Sequence, residues 1–283
     1  KKSNKLKTIF SVFRKEPKVM IQLLKRLVNR KSDQRKIALG LGLGPFEEKG
    51  SENVVRSQLS NFDKVYCRDI FSFELCQKFN INSALVADIC FSRFFSDKYL
   101  MLHTFVCTEK PSIGIVLRDW SHNSVGDSIN NKIATWIEDN MQNYDISIFI
   151  FSHIKDHKLL RKFREDFSLE IHVWDPNTDT FQNYLDKIAN MDLLITSRFH
   201  AGVFGANFGI PTICLNLDPK LYYLTKMIDS FYLLEAEQEL TDLNTLVDYV
   251  FKNYSDIQSN IINSVKSIAS KSDAQFDDAN YYL

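Results

Sequence analysis

Arg198 and His200 stand two residues apart in the run Ser197-Arg198-Phe199-His200. The run follows the apolar stretch Asp192–Thr196 and precedes the small-residue stretch Ala201–Gly209. A guanidinium grips a carboxylate or phosphate with two parallel hydrogen bonds, and an imidazole exchanges a proton near neutral pH. If a helix starts at Phe199, its free N–H groups and dipole add an attraction for anions at the same place. The pair therefore points to an anionic substrate whose reaction needs a proton, with Arg198 and His200 as catalytic candidates.

The same pattern recurs along the chain. Arg68 and Asp69 follow Lys64–Cys67, Asp88 follows Ser83–Ala87, and Arg118 and Asp119 follow Ser112–Leu117. Ser152 and His153 follow Ile146–Phe151, while Asn216, Asp218 and Lys220 follow Thr212–Leu215. Ligands of open parallel sheets bind beyond the carboxyl ends of the strands, so parallel strands would bring these groups to one cleft. Arg118, Arg68, Lys220 and His153 are the binding candidates. Structural readings stand beside the functional ones. Arg68 with Asp69, and Arg118 with Asp119, also read as pairs capping the next helix, and Asp88 reads as a structural hydrogen-bonding residue. His103, His122, His157 and His172 read as surface or structural.

The elements that must position these groups alternate. Short apolar strands are expected at Ile37–Leu43, Lys64–Cys67, Ser83–Ala87, Ser112–Leu117, Ile146–Phe151, Glu170–Val173, Asp192–Thr196 and Thr212–Leu215. Helices are expected at Ile70–Lys78, Ile129–Asn140, His157–Phe167, Thr180–Asn190, Phe199–Phe208 and Asp242–Ser270, with Gly209 closing one and Pro211 opening the next strand. Continuous apolar strands between helices predict an α/β fold with parallel sheets covered on both faces. We read two doubly wound domains facing a cleft: residues 1–96 as an N-terminal α/β domain, 111–240 as a donor-binding α/β domain, and 241–283 as a helical tail packing across both.

Hydrophobic residues make up 45% of the 283, and net charge is zero, which points to no partner in bulk. The distribution is uneven: residues 1–36 hold thirteen lysines and arginines against Glu16 and Asp33, a net of +11 balanced by −11 over the remaining 247. Such a segment suits nucleic acid or an anionic membrane. Within it, residues 16–30 read as a helix with Val19, Met20, Leu23 and Leu27 at helical spacing, either core-facing or lying on a membrane surface. The five cysteines include no CxxC and read as reduced thiols of a cytoplasmic protein. No run reaches the ~18 apolar residues of a spanning helix. The metal motifs HExxH and CxxC are lacking, and the GLGLGP run fails the spacing of a dinucleotide fingerprint. The chain opens on Lys1, which suggests a trimmed N-terminus.

The segment SRFHAGVFGANFGIPTICLNLDPK resembles the C-terminal signature of polysaccharide pyruvyltransferases: Arg-x-His, a small-residue helix, Gly-x-Pro, a strand and Asp-x-Lys. GLGLGPF, VYCRDIFS, VADICF and IGIVLRDW resemble further segments of that family in its own order, over roughly residues 36–225. The resemblance implies a GT-B-like pair of domains, phosphoenolpyruvate as donor, a cyclic pyruvate ketal as product, and no cofactor or metal. It carries over to Arg118, Arg198 and His200, and less firmly to Arg68 and Lys220. The family's opening strand and Asn-x-Gly-Asp-type turn do not precede GLGLGPF here, so the first domain reads as incomplete or diverged. The implied partner is a glycan acceptor, lipid-linked in one reading, met by a cytoplasmic enzyme with peripheral contact at the inner face of the membrane; nucleic acid is not expected. Two alternatives remain open: a GT-B glycosyltransferase using a nucleotide sugar, and a non-catalytic glycan-assembly protein.

Overall fold

A computed structural model describes residues 35–44, 46, 50–99, 104–106, 108–120 and 124–282. The basic helix expected at 16–30 lies outside the described residues, as do His103, His122 and Cys107.

The first sheet has three parallel strands in the order β1 (Ile37–Leu41), β2 (Lys64–Cys67) and β3 (Ser83–Leu85). Helices α1 (Ser51–Leu59) and α2 (Ile70–Lys78) connect them, and a short 3-10 turn, Ile89–Phe91, leads into α3 (Arg93–Tyr99). The second sheet has six strands: β4 (Ser112–Val116), β5 (Asp145–Ile150), β6 (Glu170–Val173), β7 (Leu193–Thr196), β8 (Thr212–Leu215) and β9 (Tyr232–Leu234). Their order is β6-β5-β4-β7-β8-β9, every pairing parallel. Between them run α4 (Val125–Asn140), α5 (His157–Asp166), α6 (Phe181–Ala189), α7 (Phe199–Phe208) and α8 (Pro219–Met227), followed by α9 (Leu240–Lys252) and α10 (Tyr254–Tyr282). Two parallel-sheet α/β domains thus face each other through the carboxyl ends of their strands.

The six-stranded order reverses direction between β4 and β7, the first and fourth strands of this sheet. Open α/β sheets bind ligands at such a switch point, because the two connecting helices leave opposite faces and open a crevice between the strand ends. Arg118 follows β4 and Arg198 follows β7, so the two arginines flank it. Central strands are closed to solvent, with Ile113, Ile115, Ile148, Leu194 and Ile195 all at 0% exposure. Each such side chain contributes about 1.5–3 kcal/mol of hydrophobic stabilisation, which fixes the strand ends that carry the polar groups.

Helix α7 is buried along its length from Ala201 to Phe208. Its small residues serve packing: a Cβ on Gly205 would lie 2.5 Å from Thr212 Oγ1 and 3.0 Å from Leu194 Cδ1. Gly209 ends the helix at φ 70°, as its position before Ile210-Pro211 predicts.

Several boundaries differ from the sequence expectation. Helix α3 over Arg93–Tyr99 is not among the helices expected from the sequence. The single helix expected over 242–270 is two, broken at Asn253, whose backbone leaves the helical region (φ −116°, ψ 24°). Helices α1 and α8 and the edge strand β9 have no counterpart in the sequence reading. Helix α10 packs back onto the first sheet: Tyr66 Oη donates to Asp278 Oδ2 at 2.8 Å, and Arg93 Nε to Asp273 Oδ2 at 2.6 Å.

Candidate active site

The two β4 and β7 ends are clamped by their own backbone and hydroxyls. Ser197 N donates to Val116 O at 3.0 Å, Thr196 Oγ1 to the same carbonyl at 3.0 Å, and Arg118 N to Ser197 Oγ at 3.1 Å. Arg198 is the N-cap of α7 in extended conformation, with no side chain capping the first turn. The N–H groups at the start of α7 are therefore free of a capping side chain, which suits an anion.

Arg198 is fastened from two sides. Its Nε donates to Leu117 O at 3.3 Å, and its Nη2 to Asp156 Oδ2. Asp156 is fully buried and also accepts from Asp119 N at 3.2 Å. Arg118 is held more loosely. Its Nη1 lies 3.7 Å from Asp218 Oδ2, its plane rests 4.5 Å over the Trp120 ring, and its buried Nε has no hydrogen-bond partner among the described residues. Burial lowers the pKa of Arg118, and the neighbouring positive charge of Arg198 adds to the shift. An anion between them would relieve that repulsion.

Across the cleft the first domain supplies a second cluster. Arg68 Nη1 donates to Asp88 Oδ2 at 2.7 Å and to His200 Nε2 at 3.2 Å, while the guanidinium lies 4.4 Å over the Phe199 ring. Arg68 thus ties β2 of one sheet to α7 of the other. A Cβ on Gly42 would come within 2.5 Å of Arg68 Nε, so glycine there makes room for the guanidinium. Lys220 bridges the same gap from α8, donating to Gly44 O at 2.5 Å; burial lowers its pKa.

An Nε2 that accepts from Arg68 puts the proton of neutral His200 on Nδ1, an assignment that follows from the hydrogen bond. Burial lowers the His200 pKa below 6.5, Asp88 opposes this, and Arg68, Lys220 and Arg198 reinforce it. The side chain keeps 48% of its surface open, so its environment is a packed wall with an accessible edge. Asp88 Oδ2, 3.7 Å from Nε2, is the carboxylate that would meet the imidazolium once formed.

The structure brings Arg68, His200 and Lys220 into one group at the domain gap, and Arg118 and Arg198 into another at the switch point. His153 is exposed in the turn after β5 and has no hydrogen-bond partner among the described residues. Asp69 caps its helix, accepting from Ser72 N at 2.8 Å, and its Oδ2 stays 3.9 Å from Arg68 Nε, while Arg68 Nη1 reaches on to Asp88 and His200. Asp119 likewise accepts from Lys158 N at 3.1 Å instead of pairing with Arg118. Asp156 was not visible as a site residue, because an Asp before a helix reads as an ordinary cap. Among the described residues no three His, Cys, Asp or Glu side chains are grouped as a metal site would need.

A Gly42→Ala substitution tests the Arg68 contact without touching it. The new methyl displaces the flexible guanidinium from Asp88 and His200. Because Asp88 is buried, the melting temperature should fall, by a loss of up to about 3–5 kcal/mol, the scale of a broken buried ion pair. Steady-state kinetics below that temperature should then show reduced turnover in a folded protein; unchanged turnover would remove Arg68 from the working site.

Two parallel-sheet α/β domains with a basic crevice between them define a GT-B-like protein, and solved structures agree on that fold. TarM superposes with a TM-score of 0.54 at 13% identity, covering 89% of this chain and 52% of that one. UDP-GlcNAc 2-epimerase from Neisseria meningitidis, bound to UDP-GlcNAc, gives 0.56 at 11%, covering 87% and 69%. The Glycosylation Associate Protein (Gap123) complex from Streptococcus agalactiae gives 0.51 at 14%, covering 89% and 50%. The chain spans about half the length of TarM. No curated protein matches it. Within this class the chain belongs to the polysaccharide pyruvyl transferase family, whose model matches residues 18–219. The match takes in Arg68, Arg118, Arg198, His200 and the N-cap Asp218, and ends one residue before Lys220. No helix among the described residues is long and apolar enough to cross a membrane.

Proposed function

We propose that this protein transfers the pyruvyl group of phosphoenolpyruvate onto two hydroxyls of a sugar in a surface glycan, releasing phosphate. The observation that carries the reading is Arg118. It is a guanidinium at the switch point whose buried Nε has no partner among the described residues, beside the uncapped start of α7 that also bears His200. A small donor that carries both a carboxylate and a phosphate needs that combination: a fork for one of them, free amides, and a proton donor within the same turn.

The chemistry follows from the donor. Protonation of C3 of the enol phosphate generates an oxocarbenium-like centre at C2, which one sugar hydroxyl attacks, giving up its proton. The second hydroxyl then displaces phosphate and closes the ketal, its proton leaving with the phosphate. His200 is the acid for the first step. Arg198 and Arg118 hold negative charge as it shifts from carboxylate and bridging oxygen to departing phosphate. Arg68 and Lys220 keep the two domains engaged around it. No cofactor enters these steps.

Ligand protection distinguishes this from a nucleotide-sugar transferase. Phosphoenolpyruvate at 100 times its Kd should stabilise the protein by about 2.7 kcal/mol, seen as a rise in melting temperature. Arg118→Ala should weaken binding by about 1.5–3 kcal/mol, the scale of a hydrogen bond to a charged group. Protection by UDP- or GDP-sugars with none from phosphoenolpyruvate would move the assignment to glycosyl transfer. Phosphate release that depends on an added acceptor would complete the case.

A further inference from the structure

A cavity of about 700 Å3 opens beside the cleft, between the end of β3, helix α8 and helix α10. Its volume falls within the ~300–1,000 Å3 typical of small-molecule sites. Arg68 forms part of its wall, and the same guanidinium donates to His200 Nε2 at 3.2 Å. A molecule seated there therefore lies against the residue that also contacts the proton donor.

The lining is amphipathic in a particular way. Leu85, Met227 and Ile268 give an apolar floor, and Leu85 remains 46% exposed on it. Asn263, Ser267 and Lys271 lie on the lining at every fourth position of α10, so they form one polar row along its length. None of the three is engaged in a side-chain hydrogen bond or ion pair among the described residues. Their neighbours are occupied otherwise: Asn260 Nδ2 donates to Ser230 Oγ at 3.0 Å, and Ser264 Oγ accepts from Asp229 N at 3.0 Å.

An amide and a hydroxyl both donate and accept, as a ring of sugar hydroxyls requires, and an apolar floor matches the C–H face of such a ring. The charged groups on the lining are of both signs, Arg68, Lys226 and Lys271 against Asp69 and Asp229. No single-sign field is present to draw in a polyphosphate. A lipid chain would meet the polar row of α10 without satisfying it.

We infer that this cavity is a saccharide subsite that seats the acceptor, with Asn263 and Ser267 of α10 contacting its hydroxyls. Its role as an acceptor site rests on the pyruvyl-transfer reading; its capacity to bind a sugar does not. The arrangement gives α10 a second task. Besides packing on the first sheet, it holds the loop that carries Asp88, with Ser272 Oγ donating to Asp88 O at 2.8 Å and Gln275 Nε2 to Ala87 O at 3.1 Å. Acceptor and acid–base cluster are thereby referenced to one rigid helix.

The test uses the full chain and four probes: the methyl glycosides of glucose, galactose, mannose and N-acetylglucosamine, observed by saturation-transfer NMR. At least one should give a signal in the wild type that saturating phosphoenolpyruvate does not compete away. Ser267→Trp, at an exposed position, fills the cavity and should abolish it. Asn263→Ala, a milder change, should weaken it about three- to tenfold, the worth of one hydrogen bond. No signal from any probe, a signal that survives Ser267→Trp, or one displaced by phosphoenolpyruvate overturns the inference. Phosphoenolpyruvate protection in the melting experiment is read separately. Sugar binding without it would leave the subsite standing and remove pyruvyl transfer, while the reverse result would remove only the subsite.

Discussion

His200→Gln lowers turnover by about 100-fold or more, the usual loss when a general acid is removed, while folding and donor binding stay close to wild type. Gln can still accept from Arg68 Nη1, now 3.2 Å from the imidazole, so the link between the domains survives. The pH profile carries the more specific signature. An acid must be protonated to act, and burial holds the free-enzyme pKa of His200 below 6.5. kcat/KM should therefore fall as pH rises through the acidic range. A bound anion raises the imidazole pKa by opposite-charge attraction, so the matching fall in kcat should lie at higher pH. In the Gln variant both limbs should vanish. Near wild-type turnover, or an unchanged pH profile, would take His200 out of the mechanism.

Arg198→Ala should be the most destabilising single change at the site. Among the described residues it leaves the fully buried Asp156 carboxylate with only the Asp119 amide at 3.2 Å. Removing one partner of a buried ion pair costs about 3–5 kcal/mol, because the remaining charge has lost water and gained nothing. Chemical denaturation should register that loss as a lower midpoint at constant slope. Adding Asp156→Asn to the Ala variant removes the stranded charge and should recover a large part of the stability. It should not recover phosphoenolpyruvate binding, which needs the guanidinium. A double variant no more stable than Arg198→Ala would mean that Asp156 is not the partner that matters. Restored binding in the double variant would mean that Arg198 serves the fold alone.

The contrast between those two residues shows where sequence reasoning reaches and where it stops. Strands β2, β4, β7 and β8 and helices α2 and α7 are written locally: apolar runs of four or five residues, then a polar turn, then helical spacing. Because every strand is parallel, its end points to the same side of its sheet, so Arg68, Arg118, Arg198, His200 and Lys220 could be placed at a cleft from their positions alone. Elements with weak apolar signal were missed. Helix α1 buries only Leu59, and β9 is a three-residue edge strand. The break between α9 and α10 was missed too, because the apolar spacing runs on through Asn253.

By itself the sequence determined the α/β class, the strand ends and the residue types that converge there, since these depend on short-range pattern. Which guanidinium is locked and which is held loosely was decided only in three dimensions. Arg68 finds Asp88 and His200 across 20 and 132 residues of chain, and Arg198 finds Asp156 across 42. Asp69 and Asp119, the partners adjacent in sequence, make their hydrogen bonds to backbone amides, and only Asp69 also keeps an ion pair with its neighbouring arginine, at 3.9 Å. A neighbour in the chain is held by local geometry, and a helix start offers it unpaired N–H groups at once. The long-range pairing of the arginines follows from how two sheets dock, which no run of adjacent residues encodes.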